Sequence, residues 1–188
     1  MKRDRRDLLR DAAITVLAEA GGRGLTHRAV DAAAGAPLGT TKNYFPTRDA
    51  LLQAVAERCV EHYNDVAGPL PTNREELVAM LRGLVENVAG PGRPRLLAYL
   101  ELQAEAARKP WLADILDLIA ASDFARFAAA QAAAGLPVSA QRAATITLAM
   151  QAAIPHLLAD GPGTLAASGL DDPDTFVRGL LEAVYPEN

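Results

Sequence analysis

Gly24-Leu-Thr-His-Arg-Ala-Val-Asp-Ala-Ala-Ala-Gly-Ala-Pro-Leu-Gly-Thr-Thr-Lys-Asn-Tyr-Phe-Pro-Thr-Arg-Asp-Ala-Leu-Leu52, followed on to residue 58, reads as two short helices joined by a glycine turn and then a longer helix. Thr26 is placed to cap a helix whose Ala29, Val30 and Ala33 form an apolar stripe, and Gly35 supplies a tight turn that residues bearing a Cβ make only at a cost. The next helix starts near Pro37 and runs from about Leu38 to Phe45. It is too short to bury much of itself, so its other face is open to something outside the chain. That face is polar: Thr40, Lys42, Asn43 and Tyr44. Two helices in this arrangement are how a helix-turn-helix meets DNA.

The rest of the chain fits an all-α protein. Its 188 residues, half hydrophobic and 22% charged, suffice for one domain or two small ones sharing a core. Alanine is abundant, β-branched and aromatic residues are few, and no alternating segment reads as a strand. The single Cys59 gives no disulfide framework, and Met1 is followed by charged residues without an apolar run, so a cytoplasmic protein is expected. No stretch approaches the roughly 18 consecutive apolar residues of a membrane span.

The net charge of −4 argues at first against nucleic acid, but its distribution argues the other way. Residues 1–58 hold ten Lys and Arg against seven Asp and Glu, whereas residues 59–188 hold nine against sixteen. The basic excess therefore coincides with the proposed reader, where phosphates would be met.

Working outward, Leu8, Leu9, Ala12, Ala13, Val16 and Leu17 recur at helical spacing and predict a first helix over about 4–20, ended by Gly21-Gly22. Lys2, Arg3, Arg5 and Arg6 at its start either reach DNA or make a solvated amphipathic beginning. Thr47 is placed to cap a fourth helix to about Val66, with Leu51, Leu52, Val55 and Cys59 inside. Ala67-Gly-Pro-Leu-Pro-Thr-Asn73 is the clearest break, and Asn73 with Glu76 fits a capping box for a helix to about Ala89. Further helices are expected over about 95–109, with Leu96, Leu97, Leu100 and Leu102 apolar, over 111–134, over 139–160, and over 173–185 with Asp172 as cap. The main functional boundary is placed at residue 46: residues 1–46 a helix-turn-helix domain, residues 47–188 a helical bundle.

Residues 8–58 resemble the DNA-binding domain of the tetracycline-repressor (TetR) family of bacterial transcriptional regulators. The likeness lies in the Ala-rich first helix ending at Gly21, Leu25-Thr26, Gly35 at the turn, Gly39-Thr40, Tyr44-Phe45, and Arg48-Asp49-Ala50-Leu51-Leu52. Glu101-Leu-Gln-Ala-Glu-Ala-Ala-Arg-Lys-Pro110 is also similar to a segment in some members. The resemblance implies an N-terminal three-helix, homeodomain-like reader followed by a C-terminal bundle for ligand binding and dimerisation. It also implies a homodimer whose third helices enter the major groove of a palindromic double-stranded DNA operator. Two positions depart from the family's pattern. Lys42 stands where an aromatic residue is common, and Thr41 where an apolar packing residue is usual.

Within this frame Thr40 and Asn43 are the candidates for reading base edges, because a hydroxyl with its methyl meets either base or a thymine methyl and Asn pairs bidentately with adenine. Thr26, His27, Arg28, Lys42, Tyr44 and Arg48 are the candidates for the backbone, although Arg28 could instead pair with Asp31. Tyr99, Gln103, Trp111, Phe124, Phe127, Gln151 and His156 are candidates for lining an effector cavity, and Pro155 is expected to kink the helix beside the last two. Small residues including Ala144, Thr147 and Ala152 suit close helix approach, and by the resemblance they form a dimer interface with Leu180, Leu181 and Val184. No catalytic, metal or cofactor site is expected: His27, His62 and His156 are dispersed, and Cys59-x-x-His62 lacks further ligands. The expectation is a dimeric regulator, a repressor released by a small-molecule effector; the alternative is a helical bundle that binds a small molecule or protein without reading DNA.

Overall fold

The computed structural model describes residues 4–64 and 68–186. Its helices are α1 (Arg5–Gly24), α2 (His27–Ala33), α3 (Thr40–Tyr44), α4 (Arg48–Asn64), α5 (Arg74–Ala89), α6 (Arg93–Ala106), α7 (Pro110–Ala133), α8 (Ala140–Ala159), α9 (Pro162–Ser168) and α10 (Pro173–Val184). Among the described residues every regular element is helical, and no helix is long and apolar enough to cross a membrane. Lys2 and Arg3, and Val66 at the expected end of the fourth helix, lie outside the described residues.

Two compact units form, Met1–Ala67 with Pro94–Ile119, and Gly68–Arg93 with Ala120–Asn188. The functional boundary at residue 46 falls inside the first unit, because α4 packs on α1 and shares its core. Leu9, Ala13 and Leu17 of α1 meet Leu51, Leu52 and Val55 of α4, with Leu25, Val30 and Phe45 closing the reader side and Ala98, Leu102, Leu112 and Leu116 the other. The stripes read for the first and fourth helices are thus the buried ones, apart from a half-buried Leu8. On α6 only Leu102 of the expected residues is buried, beside Ala98 at the preceding turn, whereas Leu96, Leu97 and Leu100 are half-buried. Gly21 interrupts α1 at φ 64°, a left-handed conformation that favours glycine.

An ion-pair network seals α1 against α4. Arg10, 7% exposed, donates to Glu61 at 2.7 and 3.1 Å, to Asp7 at 3.1 Å and to the Ala54 carbonyl at 3.1 Å. Arg58 donates to Asp11 at 2.8 Å and to Glu61 at 2.9 Å. The Arg10 hydrogen bonds and, with them, those of Arg58 hold the Glu61 carboxyl below its ordinary value. Cys59 lies inside this helix pair, and burial pushes its thiol up to about 12.

The second unit is built on Leu77, Val78, Leu81 and Val85 of α5, Ile146 and Met150 of α8, and Val177 and Leu181 of α10. Asn73, Ser139 and Asp172 accept the capping bonds of α5, α8 and α10. Glu76, expected to close a box on Asn73, instead accepts from the Thr72 amide at 2.7 Å and its hydroxyl at 2.8 Å, one residue further back. α8 continues through Pro155. α9 escaped the sequence reading because it buries nothing and so has no apolar period. Its signals are punctuation alone: Pro162 at its start and a left-handed Gly169 at its end.

One polar pair lies deep in this unit. The Tyr185 hydroxyl donates to Gln131 Oε1 at 2.7 Å, and the Gln131 amide donates to the Phe127 carbonyl at 3.0 Å. Both residues are at most 2% exposed. Tyr185→Phe therefore strands a buried acceptor and is expected to cost about 1.5 kcal/mol, read as a lower urea midpoint at unchanged slope. An unchanged midpoint would show that the pair contributes nothing net.

Candidate nucleic-acid interface

The reading element rests on a clamp. Asp31, on the inner side of α2 and 2% exposed, accepts hydrogen bonds from the Gly39 amide at 2.7 Å, the Thr41 amide at 2.7 Å and the Thr41 hydroxyl at 2.6 Å. One carboxylate thereby caps α3 and fixes it to α2. Burial raises the Asp31 pKa, but the Thr41 and Gly39 hydrogen bonds outweigh it and leave the carboxyl below its ordinary value. The alternative pairing of Arg28 with Asp31 is not what forms: Asp31 faces α3 and Arg28 is exposed. Thr41, which stands where the family pattern is usually apolar, is fully buried with its hydroxyl held by the same carboxylate.

The far end of α3 is held too. His27 Nε2 lies 2.6 Å from the Phe45 carbonyl, an acceptor only, so that nitrogen carries the proton. Phe45 is buried at 2% exposure, and the Arg6 guanidinium stands 5.6 Å from its ring centroid, bringing a cation of α1 beside the end of α3. Between these anchors Lys42, Asn43 and Tyr44 are exposed and Thr40 is half-exposed. The Thr40 hydroxyl donates to the Pro37 carbonyl at 2.6 Å, so toward an outside group it presents lone pairs and a methyl. Thr26 is exposed and accepts from the Ala29 amide at 3.2 Å as the cap of α2.

Arg48 does something other than expected. Its guanidinium donates to the Gly22 carbonyl at 2.7 Å, the Leu25 carbonyl at 2.9 Å and Glu105 at 3.3 Å, satisfying carbonyls at the C-terminal end of α1. Glu101, four residues before Glu105 on α6, accepts from the Gly22 amide at 2.8 Å. Thus α6 grips the α1–α2 corner, a role visible in sequence only as part of the family-like segment. Asp31 was missed as well, although a carboxylate beside Val30 on a packing face was the available signal.

The seven cavity candidates do not fall in one unit. Tyr99 and Trp111 pack at the edge of the first core and Gln103 is exposed nearby in sequence on α6. In the second unit Phe124 is half-buried, Phe127 packs on the core, Gln151 donates to Asp123 at 3.0 Å, and the exposed His156 holds Asp160 through Nδ1 at 2.8 Å. Of the dimer candidates, Ala152 is exposed and Ala144, Leu180 and Val184 are half-buried. Thr147 and Leu181 are enclosed by their own chain, Thr147 donating to the Ala143 carbonyl at 2.9 Å and Leu181 filling the core, so neither offers surface to a partner. Leu148, 56% exposed between Ala144 and Ala152 at four-residue spacing, is the apolar residue there that the sequence reading missed.

A family model described as tetracyclin repressor-like, C-terminal domain, matches residues 72–185. No curated protein matches the chain. Among solved structures, the multidrug binding protein EbrR complexed with malachite green is 26% identical, with a TM-score of 0.70 and coverage of 98% of this chain and 100% of that one. The same protein complexed with ethidium is 28% identical at a TM-score of 0.70, again covering 98% and 100%. A member of the TetR family from Streptomyces coelicolor A3 is 27% identical at a TM-score of 0.71, covering 98% and 100%.

Proposed function

This chain belongs to the tetracycline-repressor-like family of transcriptional regulators, and from that premise we propose that it is a homodimeric repressor which binds a palindromic operator and releases it on taking up a small molecule. The observation that carries the reading is the Asp31 clamp, which holds a five-residue helix with its polar face turned outward. Asn43 and Thr40 read bases, Thr40 accepting from an adenine or cytosine amine because its own proton is committed to Pro37. Thr26, Arg28, Lys42 and Tyr44 position the backbone. His27 and Arg48 support the reader from behind. The residues at 1–46 form the reader in this account and those from 47 onward the effector and dimer part, with Ala144, Leu148, Ala152, Leu180 and Val184 facing the second protomer.

Release is geometric. Two reading helices must stand one turn of DNA apart, about 34–36 Å, and an effector shifts that spacing only by its differential affinity for the two conformations. α4 is the lever, since it is tied to α1 by the Arg10–Glu61 and Arg58–Asp11 pairs. Ethidium, an aromatic cation held by the similar EbrR, is the first effector to try, and the acidic excess after residue 58 favours a cation.

The test is binding of the purified protein to the promoter region beside its own gene, with competitor DNA, across a salt series. Tight binding that weakens steeply with salt supports the regulator; binding no stronger than to competitor DNA contradicts it. Lys42→Ala is expected to flatten the salt slope by roughly one unit, whereas Arg48→Ala leaves the slope unchanged and lowers the melting temperature instead. A slope change from Arg48→Ala equal to that of Lys42→Ala would return Arg48 to the phosphate contacts.

A further inference from the structure

Leu38 is 79% exposed, the most exposed large hydrophobic side chain among the described residues. It stands in the turn between α2 and α3, and the backbone on both sides is pinned. The Pro37 carbonyl accepts from the Thr40 amide at 3.1 Å and from its hydroxyl at 2.6 Å, while the Gly39 amide is held by Asp31. Neither the core nor a helical stripe accounts for the side chain, and the residues that follow it on α3, Thr40, Lys42 and Asn43, are polar. An aliphatic group held rigidly at the edge of a polar reading surface is presented outward at little ordering cost.

We infer that Leu38 is a specificity-determining residue that packs against the C5-methyl group of a thymine in each half of the operator. The inference rests on the DNA-reading function proposed above and deepens it. Among the major-groove edges of the four base pairs, thymine alone carries a methyl group; every other feature there is a hydrogen-bond donor or acceptor that leucine cannot use. Contact with sugar carbons would also bury the side chain, but that contact is blind to sequence, which separates the two in experiment.

The experiment starts from the operator recovered by selecting a random DNA pool on the full-length protein. Each symmetric pair of thymines in that operator is replaced by uracil, which removes only the methyl, and wild type is compared with Leu38→Ala. One thymine pair is expected to matter. Its replacement weakens wild-type binding by roughly fourfold per half-site, about fifteenfold for the two halves together, as burial of one carbon group predicts. Leu38→Ala is expected to bind both operators alike, with the weaker affinity and an unchanged salt slope. Because the side chain is exposed, the variant keeps the melting temperature of wild type, which a thermal melt verifies.

An operator whose every thymine tolerates uracil overturns the inference while leaving the DNA-reading function intact, as does a uracil penalty that persists in full in Leu38→Ala. A pool that yields no enriched sequence overturns both together.

Discussion

Asp31→Ala is expected to be the most damaging single substitution in the reader, lowering stability by about 3 kcal/mol and the melting temperature by roughly 6–12 °C. The size follows from what is left behind. The Gly39 amide, the Thr41 amide and the Thr41 hydroxyl lose one shared acceptor at a site that is almost wholly buried. Hydrogen bonds to a charged group are the stronger kind, and stranded donors carry a desolvation cost. Well below the new melting point, DNA affinity is expected to fall by more than tenfold, because α3 is too short to hold its position unaided. Asp31→Asn keeps one acceptor and should fall between.

The dependence on pH gives the same clamp a second signature. The folded-state pKa of Asp31 lies below its ordinary value of 3.8, so its contribution is complete above 3.8 and disappears as the pH falls through the lower folded value. The melting difference between wild type and Asp31→Ala should thus be constant near neutrality and narrow in acid. A variant that melts within a degree of wild type and binds DNA equally well would remove the clamp from the account.

The second large effect belongs to Arg10. Arg10→Ala is expected to cost about 2–3 kcal/mol, since it takes a buried guanidinium away from Glu61, Asp7 and the Ala54 carbonyl at once. The figure sits below that of a fully buried pair because the Glu61 and Asp7 side chains are 47% and 35% exposed and water takes over part of their solvation. Arg10→Met, which keeps the packed stem and removes only the charge, is expected to lose most of the same amount, because Glu61, Asp7 and the Ala54 carbonyl are stranded in both variants. A Met variant as stable as wild type would assign the effect to the packed stem instead. Effector response, assayed as ethidium-dependent release of DNA, should weaken in both, because the network binds the lever to the reader.

How much of this was legible beforehand depended on the range of the interaction. Stripes on the first and fourth helices were readable because burial repeats every three or four residues, and the caps at Thr26, Thr47, Asn73 and Asp172 because a cap acts within one turn. Asp31 was not, since its partners lie eight and ten residues on and across a turn whose path is set by the fold. Arg48 shows the same limit from the other side: an arginine opening a helix beside a reader has the composition of a phosphate contact, and only the positions of the Gly22 and Leu25 carbonyls reveal its inward use. Cavity candidates were chosen by chemistry alone, and chemistry did not place Tyr99 and Phe127 in different units.

Cys59 bears on how the proposed movement can be watched. It is the single cysteine of the sequence, it is buried, and a thiol pushed up to about 12 is almost entirely protonated at neutral pH. Maleimide reagents therefore pass it by, and the native chain serves as its own background for site-specific labelling. A spin label on Ala33→Cys, at an exposed position of α2, would report the distance between the two readers of a dimer with and without ethidium, turning the geometric mechanism into a measured separation.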